Sequence, residues 1–121
     1  MAVRVLVVDD DRVVLDSCRR VLETEDMEVT LVASAREALE RTRISDYDLL
    51  IVDVKMPDHD GVWLIKEMKR AGQETAILVM SGYPTPETIA DAATVGANSF
   101  IAKPFTPDEL LESVRGILQK E

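Results

Sequence analysis

A chain of 121 residues is the size of one domain and long enough to bury a single core. Its formal charge is −9, from 23 acidic against 14 basic residues, and such a surface repels phosphate backbones and anionic lipid, so this chain by itself is not expected to bind nucleic acid or membrane. Hydrophobic residues make up 46%, yet no apolar run approaches the ~20 residues needed to cross a bilayer.

The first predicted strand, Val3–Val8, runs straight into Asp9-Asp10-Asp11. A signal peptide needs a basic start, a longer apolar run and a small-residue cleavage site, so export is not expected. A first helix follows, with Asp11 as its cap and Val14, Cys18, Val21 and Leu22 on one face. Cys18, the one cysteine, has no partner for an internal disulfide and reads as a small buried hydrophobe, which fits a reducing, cytoplasmic setting. The second strand is Glu28–Val32, and Ser34 with Glu37 forms a capping-box pattern before Ala35, Ala38 and Leu39 of a second helix.

Leu49–Asp53 is the third strand. In the loop after it, Met56 and Pro57 shape the backbone, His59 is expected to be exposed, and Gly61 permits a tight path. Leu64, Ile65 and Met68 then mark a third helix that Gly72 ends, with Trp63 partly buried on it. Ala76–Ser81 is the fourth strand, and Pro86 suits the first turn of a fourth helix that runs to Gly96. The fifth strand is Ser99–Lys103, and Thr106-Pro107-Asp108-Glu109 opens a fifth helix carrying Leu110, Leu111, Val114 and Leu118. VRVLVV, LLIVD and AILVM are nearly continuous apolar runs, as strands are when helices cover both faces of a parallel sheet. The βα alternation therefore predicts an α/β domain over residues 1–121 with helices on both faces.

Polar residues gather at the carboxyl ends of these strands: Asp9-Asp10-Asp11 after the first, Asp53 on the third, Ser81 on the fourth and Lys103 on the fifth. Open parallel sheets bind ligands in the crevice at that edge. Clustered carboxylates repel one another, and a hard oxygen-seeking cation such as magnesium is the natural compensation. With that charge neutralised, a phosphate can approach Asp53, whose carboxylate can attack phosphorus. Lys103 and Ser81 are then placed to donate to the phosphoryl oxygens.

At these residues the chain resembles the receiver domains of bacterial two-component response regulators, through VLVVDDD at 5–11, LLIVDVKMPDHDG at 49–61, ILVMSG at 77–82 and GANSFIAKPFTPDEL at 96–110. The resemblance spans essentially the whole chain and implies a flavodoxin-like, doubly wound sheet of strand order 2-1-3-4-5 with five helices. By position it implies Asp53 as phosphoacceptor and Mg2+ as cofactor, held by Asp10, Asp53 and the Lys55 main-chain carbonyl, with Asp9 acting through water. It implies Ser81 as the hydroxyl that bonds the phosphoryl group, Lys103 as its ion-pairing partner, Phe100 as the aromatic switch, and a cis Lys103-Pro104 peptide. The partners implied are a sensor histidine kinase or phosphotransfer protein as donor and a downstream effector or output domain, read through the fourth helix, fifth strand and fifth helix. Slow autodephosphorylation and a phosphorylation-linked homodimer are further expectations. Such a domain assists its own phosphorylation and is not an enzyme.

A rival pattern is present. Asp9-Asp10-Asp11-Arg12-Val13 fits D-x-D-x-[T/V] after an apolar strand and so resembles the first motif of haloacid-dehalogenase-type phosphatases. That resemblance implies Asp9 as nucleophile and Asp11 as general acid. The acidic pair such enzymes need on a later strand is missing, since Lys103 runs into Pro104 and the last helix, and Asp53 is left idle.

Overall fold

The computed structural model describes residues 2–119. Five short aliphatic runs pair in parallel as β1 (Arg4–Val8), β2 (Glu28–Val32), β3 (Leu49–Asp53), β4 (Ala76–Ser81) and β5 (Ser99–Ala102). Their order is β2-β1-β3-β4-β5, as the family resemblance implied. Two strand bounds differ from the sequence reading: β1 starts at Arg4 and β5 stops at Ala102. Lys103 lies just past β5, although its amide still donates to the Ser81 carbonyl at 2.8 Å.

The helices are α1 (Arg12–Glu23), α2 (Ala35–Ile44), α3 (Gly61–Arg70), α4 (Pro86–Val95) and α5 (Pro107–Leu118). Alternate strand residues point to opposite faces, so each strand feeds two cores. Leu6, Val8, Leu50, Val52 and Ile77 pack under α2, α3 and α4 with Ala38, Leu64, Met68 and Ala92. Val5, Val7, Ile51, Leu78 and Met80 pack under α1 and α5 with Leu15, Leu22, Leu110 and Val114. Two-sided burial is why the strands read as unbroken apolar runs. On α1 the buried stripe is Leu15, Cys18 and Leu22, and Val14 and Val21 flank it half-buried. All four residues of the expected face pack on this core, and the sequence reading left out only Leu15. Burial, reinforced by nearby Asp9 and opposed by Lys103, pushes the Cys18 thiol up to about 12, which removes it from thiolate chemistry.

Helix ends carry the caps their residue types favour. Asp11 accepts the Val13 amide at 2.9 Å, Ser34 accepts Glu37, and Thr106 and Glu109 bond reciprocally. Gly96 ends α4 at φ +114°, a conformation open to glycine at little cost.

Gly61 has a different role. Its amide donates to the Val54 carbonyl at 2.8 Å, and a Cβ added there would sit 2.6 Å from the Asp53 carbonyl oxygen and 3.2 Å from Val52 Cγ2. Backbone cannot swing aside as a flexible side chain can. Gly61→Ala is therefore expected to cost about 1–3 kcal/mol, the usual range for overpacking a tight site. Urea unfolding should show a lower midpoint at unchanged slope; an unchanged midpoint would mean α3 can shift outward freely.

Candidate functional site

All five strands of a parallel sheet end at one edge, so residues just beyond β1, β3, β4 and β5 share a rim. Asp9 lies there fully buried, one residue past β1. Its Oδ1 accepts the Asp11 amide at 2.9 Å and its Oδ2 accepts Lys103 Nζ at 2.7 Å. Asp53, the last residue of β3, accepts the Lys55 amide on Oδ1 at 3.2 Å and Lys103 Nζ on Oδ2 at 2.8 Å. Lys103 thus bridges two carboxylates that reach it from separate strands. Asp10 is exposed beside them, and one carboxylate oxygen from each of Asp9, Asp10 and Asp53 lies within 4.8 Å of the others.

The electrostatics follow from burial set against pairing. Burial pushes the Asp9 carboxyl up and the Asp53 charge adds to this, against the opposing bonds from Lys103 and the Asp11 amide. Burial would pull the Lys103 ammonium down, but its bonds to Asp53 and Asp9 outweigh that and raise it. Three carboxylates facing one ammonium leave the rim with net negative charge. A hard divalent cation fits this donor set, since Mg2+ takes oxygen ligands and is commonly held by one or two carboxylates. Both oxygens of Asp9 already accept donors, whereas Asp10 opens to solvent.

Ser81 ends β4 at the same edge and is buried, but its hydroxyl accepts the Tyr83 amide at 3.1 Å rather than bonding Asp53 or Lys103. Phe100 is half-buried on β5 against the core under α4, in a small apolar hollow with Ile89, Ala92 and Ala97. The Lys103-Pro104 peptide is cis, as the resemblance implied. Asp11, the general acid of the phosphatase pattern, is instead the N-cap of α1 and is absent from the carboxylate cluster.

One expectation is corrected in the β3–α3 loop. His59 is half-buried, not simply exposed: its ring stacks on Trp63 at 3.9 Å and 14°, with Arg36 Nη2 3.3 Å from Nε2. Beside it is a residue that sequence reasoning passed over. Asp58 accepts the Ala35 amide at 3.3 Å and the Arg36 amide at 3.0 Å, closing the start of α2 from across the fold. No local pattern marks that contact, because its partners are 23 and 22 residues away.

The family model of the response regulator receiver domain matches residues 5–115. Response regulator MprA of Mycobacterium ulcerans is 36% identical over 120 residues, covering 99% of this chain and 52% of that protein. The chain thus spans about half the length of the curated relatives it matches. Among solved structures, the chemotaxis protein CheY4 of Vibrio cholerae superposes with a TM-score of 0.93 at 31% identity, covering 98% of this chain and 100% of that one. A CheY-like receiver domain protein of Methanospirillum hungatei gives 0.92 at 32% identity, covering 98% and 94%. Among the described residues, no helix is long and apolar enough to cross a membrane.

Proposed function

The chain belongs to the response regulator receiver domain family, whose members are signalling phosphoacceptors rather than enzymes, and from that premise we propose that Asp53 is the residue that takes the phosphoryl group. The observation that carries this reading is the convergence of Asp9, Asp10 and Asp53 around Lys103 at the carboxyl edge of the sheet. A receiver domain implies a histidine kinase as partner, and the donor proposed is its phosphohistidine or that of a phosphotransfer protein. An Asp53 carboxylate oxygen attacks phosphorus, a P–O bond forms as the P–N bond breaks, and the electron pair leaves with the imidazole nitrogen.

Asp10, Asp53 and the Lys55 carbonyl would hold Mg2+, with Asp9 acting through water. When bound, that ion supplies charge neutralisation for the incoming phosphoryl oxygens. Lys103 Nζ already lies 2.8 Å from Asp53 Oδ2 and is placed to follow the charge onto the phosphoryl group. Ser81 would give up its bond to the Tyr83 amide and donate its hydroxyl proton to a phosphoryl oxygen. Its departure, with Phe100 turning inward, couples the site to the α4–β5–α5 face as a population shift between two arrangements.

Incubation with acetyl phosphate, read by intact mass, tests the acceptor chemistry: a gain of one phosphoryl group is expected with Mg2+ and none without it. For the output face, amide relaxation and shift changes on phosphorylation are expected at residues 82–88 and in α4 and β5. Changes confined to the rim would sink that route.

A further inference from the structure

The β3–α3 loop carries Lys55, and its ends are well held. Val54 donates to the Met80 carbonyl at 3.0 Å, Gly61 returns to Val54, and Asp60 caps α3 through the Trp63 amide at 2.8 Å. Between Lys55 and Asp60, hydrogen bonds to any element other than β3 and α3 go, among the described residues, only to α2. Two of them are made by Asp58, one carboxylate oxygen to each of the Ala35 and Arg36 amides, and the third is the Arg36–His59 contact.

The first amides of a helix have no partner within it, and the positive end of the helix dipole favours an anion there. α2 serves the Glu37 amide with its own Ser34 and leaves those of Ala35 and Arg36 to the loop. Burial pushes the Asp58 carboxyl up, but the amides of Arg36, His59 and Ala35 outweigh it and hold the acid below the usual carboxylate range. Asp58 is therefore an anion throughout the neutral range, and its two-bond strap to the start of α2 stays closed.

We propose that Asp58 is a positioning residue: through its two bonds to the start of α2 it fixes the β3–α3 loop, and so the Lys55 carbonyl, in the place where Mg2+ needs it. This rests on the metal-site reading given above. Only two residues, Met56 and Pro57, separate Lys55 from Asp58, so release of Asp58 frees the carbonyl to wander. Outer groups that orient metal ligands commonly carry tenfold effects or more on affinity.

Trp63, the chain's one tryptophan, stacks on His59 within this assembly and reports its state by fluorescence. Mg2+ titrations of the whole protein, followed by Trp63 emission and independently by calorimetry, compare the wild type with Asp58→Ala, Asp58→Asn, Ser34→Ala and Asp10→Asn. Asp58→Ala should raise half-saturation about tenfold, and Asp58→Asn, which keeps one acceptor oxygen, should fall between. Ser34→Ala weakens the same helix end without touching the loop, so it should lower thermal stability and leave Mg2+ half-saturation unchanged. At saturating Mg2+, uptake of phosphate from acetyl phosphate by Asp58→Ala should return to the wild-type rate. Wild-type half-saturation in Asp58→Ala, with binding lost in Asp10→Asn, overturns the strap and spares the metal site. An equal shift in Ser34→Ala also overturns it, because helix stability alone would then explain the effect. A wild type that binds no Mg2+ overturns the metal-site reading and the strap together.

Discussion

Asp53→Asn is expected to take up no phosphoryl group under conditions where the wild type gains one. The exchange is nearly isosteric, and the side-chain oxygen can still accept the Lys55 amide that now bonds Oδ1. What it removes is the anionic oxygen, because an amide has no charge to bring to phosphorus and forms no acyl phosphate under these conditions. The fold should survive, since Lys103 keeps its 2.7 Å bond to Asp9 and the strand pairing of Asp53 with Met80 is main-chain. Intact mass after acetyl phosphate and Mg2+, alongside circular dichroism of the same sample, checks both halves. A folded Asp53→Asn protein that still gains a phosphoryl group would move the acceptor to Asp9 or Asp10, and Asp9→Asn would then be the deciding variant.

Lys103→Ala should have the largest effect on stability of any single change at the rim. Asp9 is fully buried, and its nearest cation is this ammonium. Removing one partner of a buried pair typically costs about 3–5 kcal/mol. Here the lysine side chain keeps 19% exposure, and water can reach Asp10 and part of Asp53, so about 2–3 kcal/mol is expected in EDTA. Added Mg2+ should recover part of the loss, since a cation bound at the carboxylates replaces the missing charge and stabilises the folded state by mass action.

The pH dependence gives the assignment a sign. Lys103 is raised above its ordinary 10.5, so its contribution is complete below that value and fades as pH climbs through the folded one. The variant should lack this alkaline loss. Asp9 is also raised, and without Lys103 it should rise further, so the folded variant holds a proton on Asp9 more readily than the unfolded chain does. The deficit of Lys103→Ala should therefore be greatest near neutrality and shrink on acidification. Urea midpoints in EDTA at neutral and mildly acidic pH decide this. A deficit that is the same at both would mean that Asp9 does not feel the lysine as a charge.

The legible parts of this protein are those whose causes lie close together in the chain. The apolar run LLIVD, the Ser34 and Thr106 caps and the left-handed Gly96 each act within a few residues, and helices and strands formed where these signals stand. The stripe on α1 was less legible. Helical periodicity alone makes Val14 and Leu15 near-equals, and only packing under the sheet selects Leu15. His59 was misplaced for a related reason, since nothing in Pro57–Gly61 says that Trp63 will stack on it or that Arg36 will reach it.

By itself, the sequence determined the alternation of strands and helices, their caps and the set of polar residues standing at strand ends. It also carried the family resemblance, and with it the strand order and the parts expected of Asp53, Lys103 and Ser81. Tertiary structure alone decided which of those residues touch. Lys103 meets Asp53 across 50 residues and Asp9 across 94, because β1, β3, β4 and β5 lie side by side and end at one edge. The same packing brought Asp58 onto the start of α2, across 22 and 23 residues. The reason is physical: secondary structure follows from interactions within a few bonds' reach, whereas a site assembled from separate strands exists only once the sheet has closed its long loops.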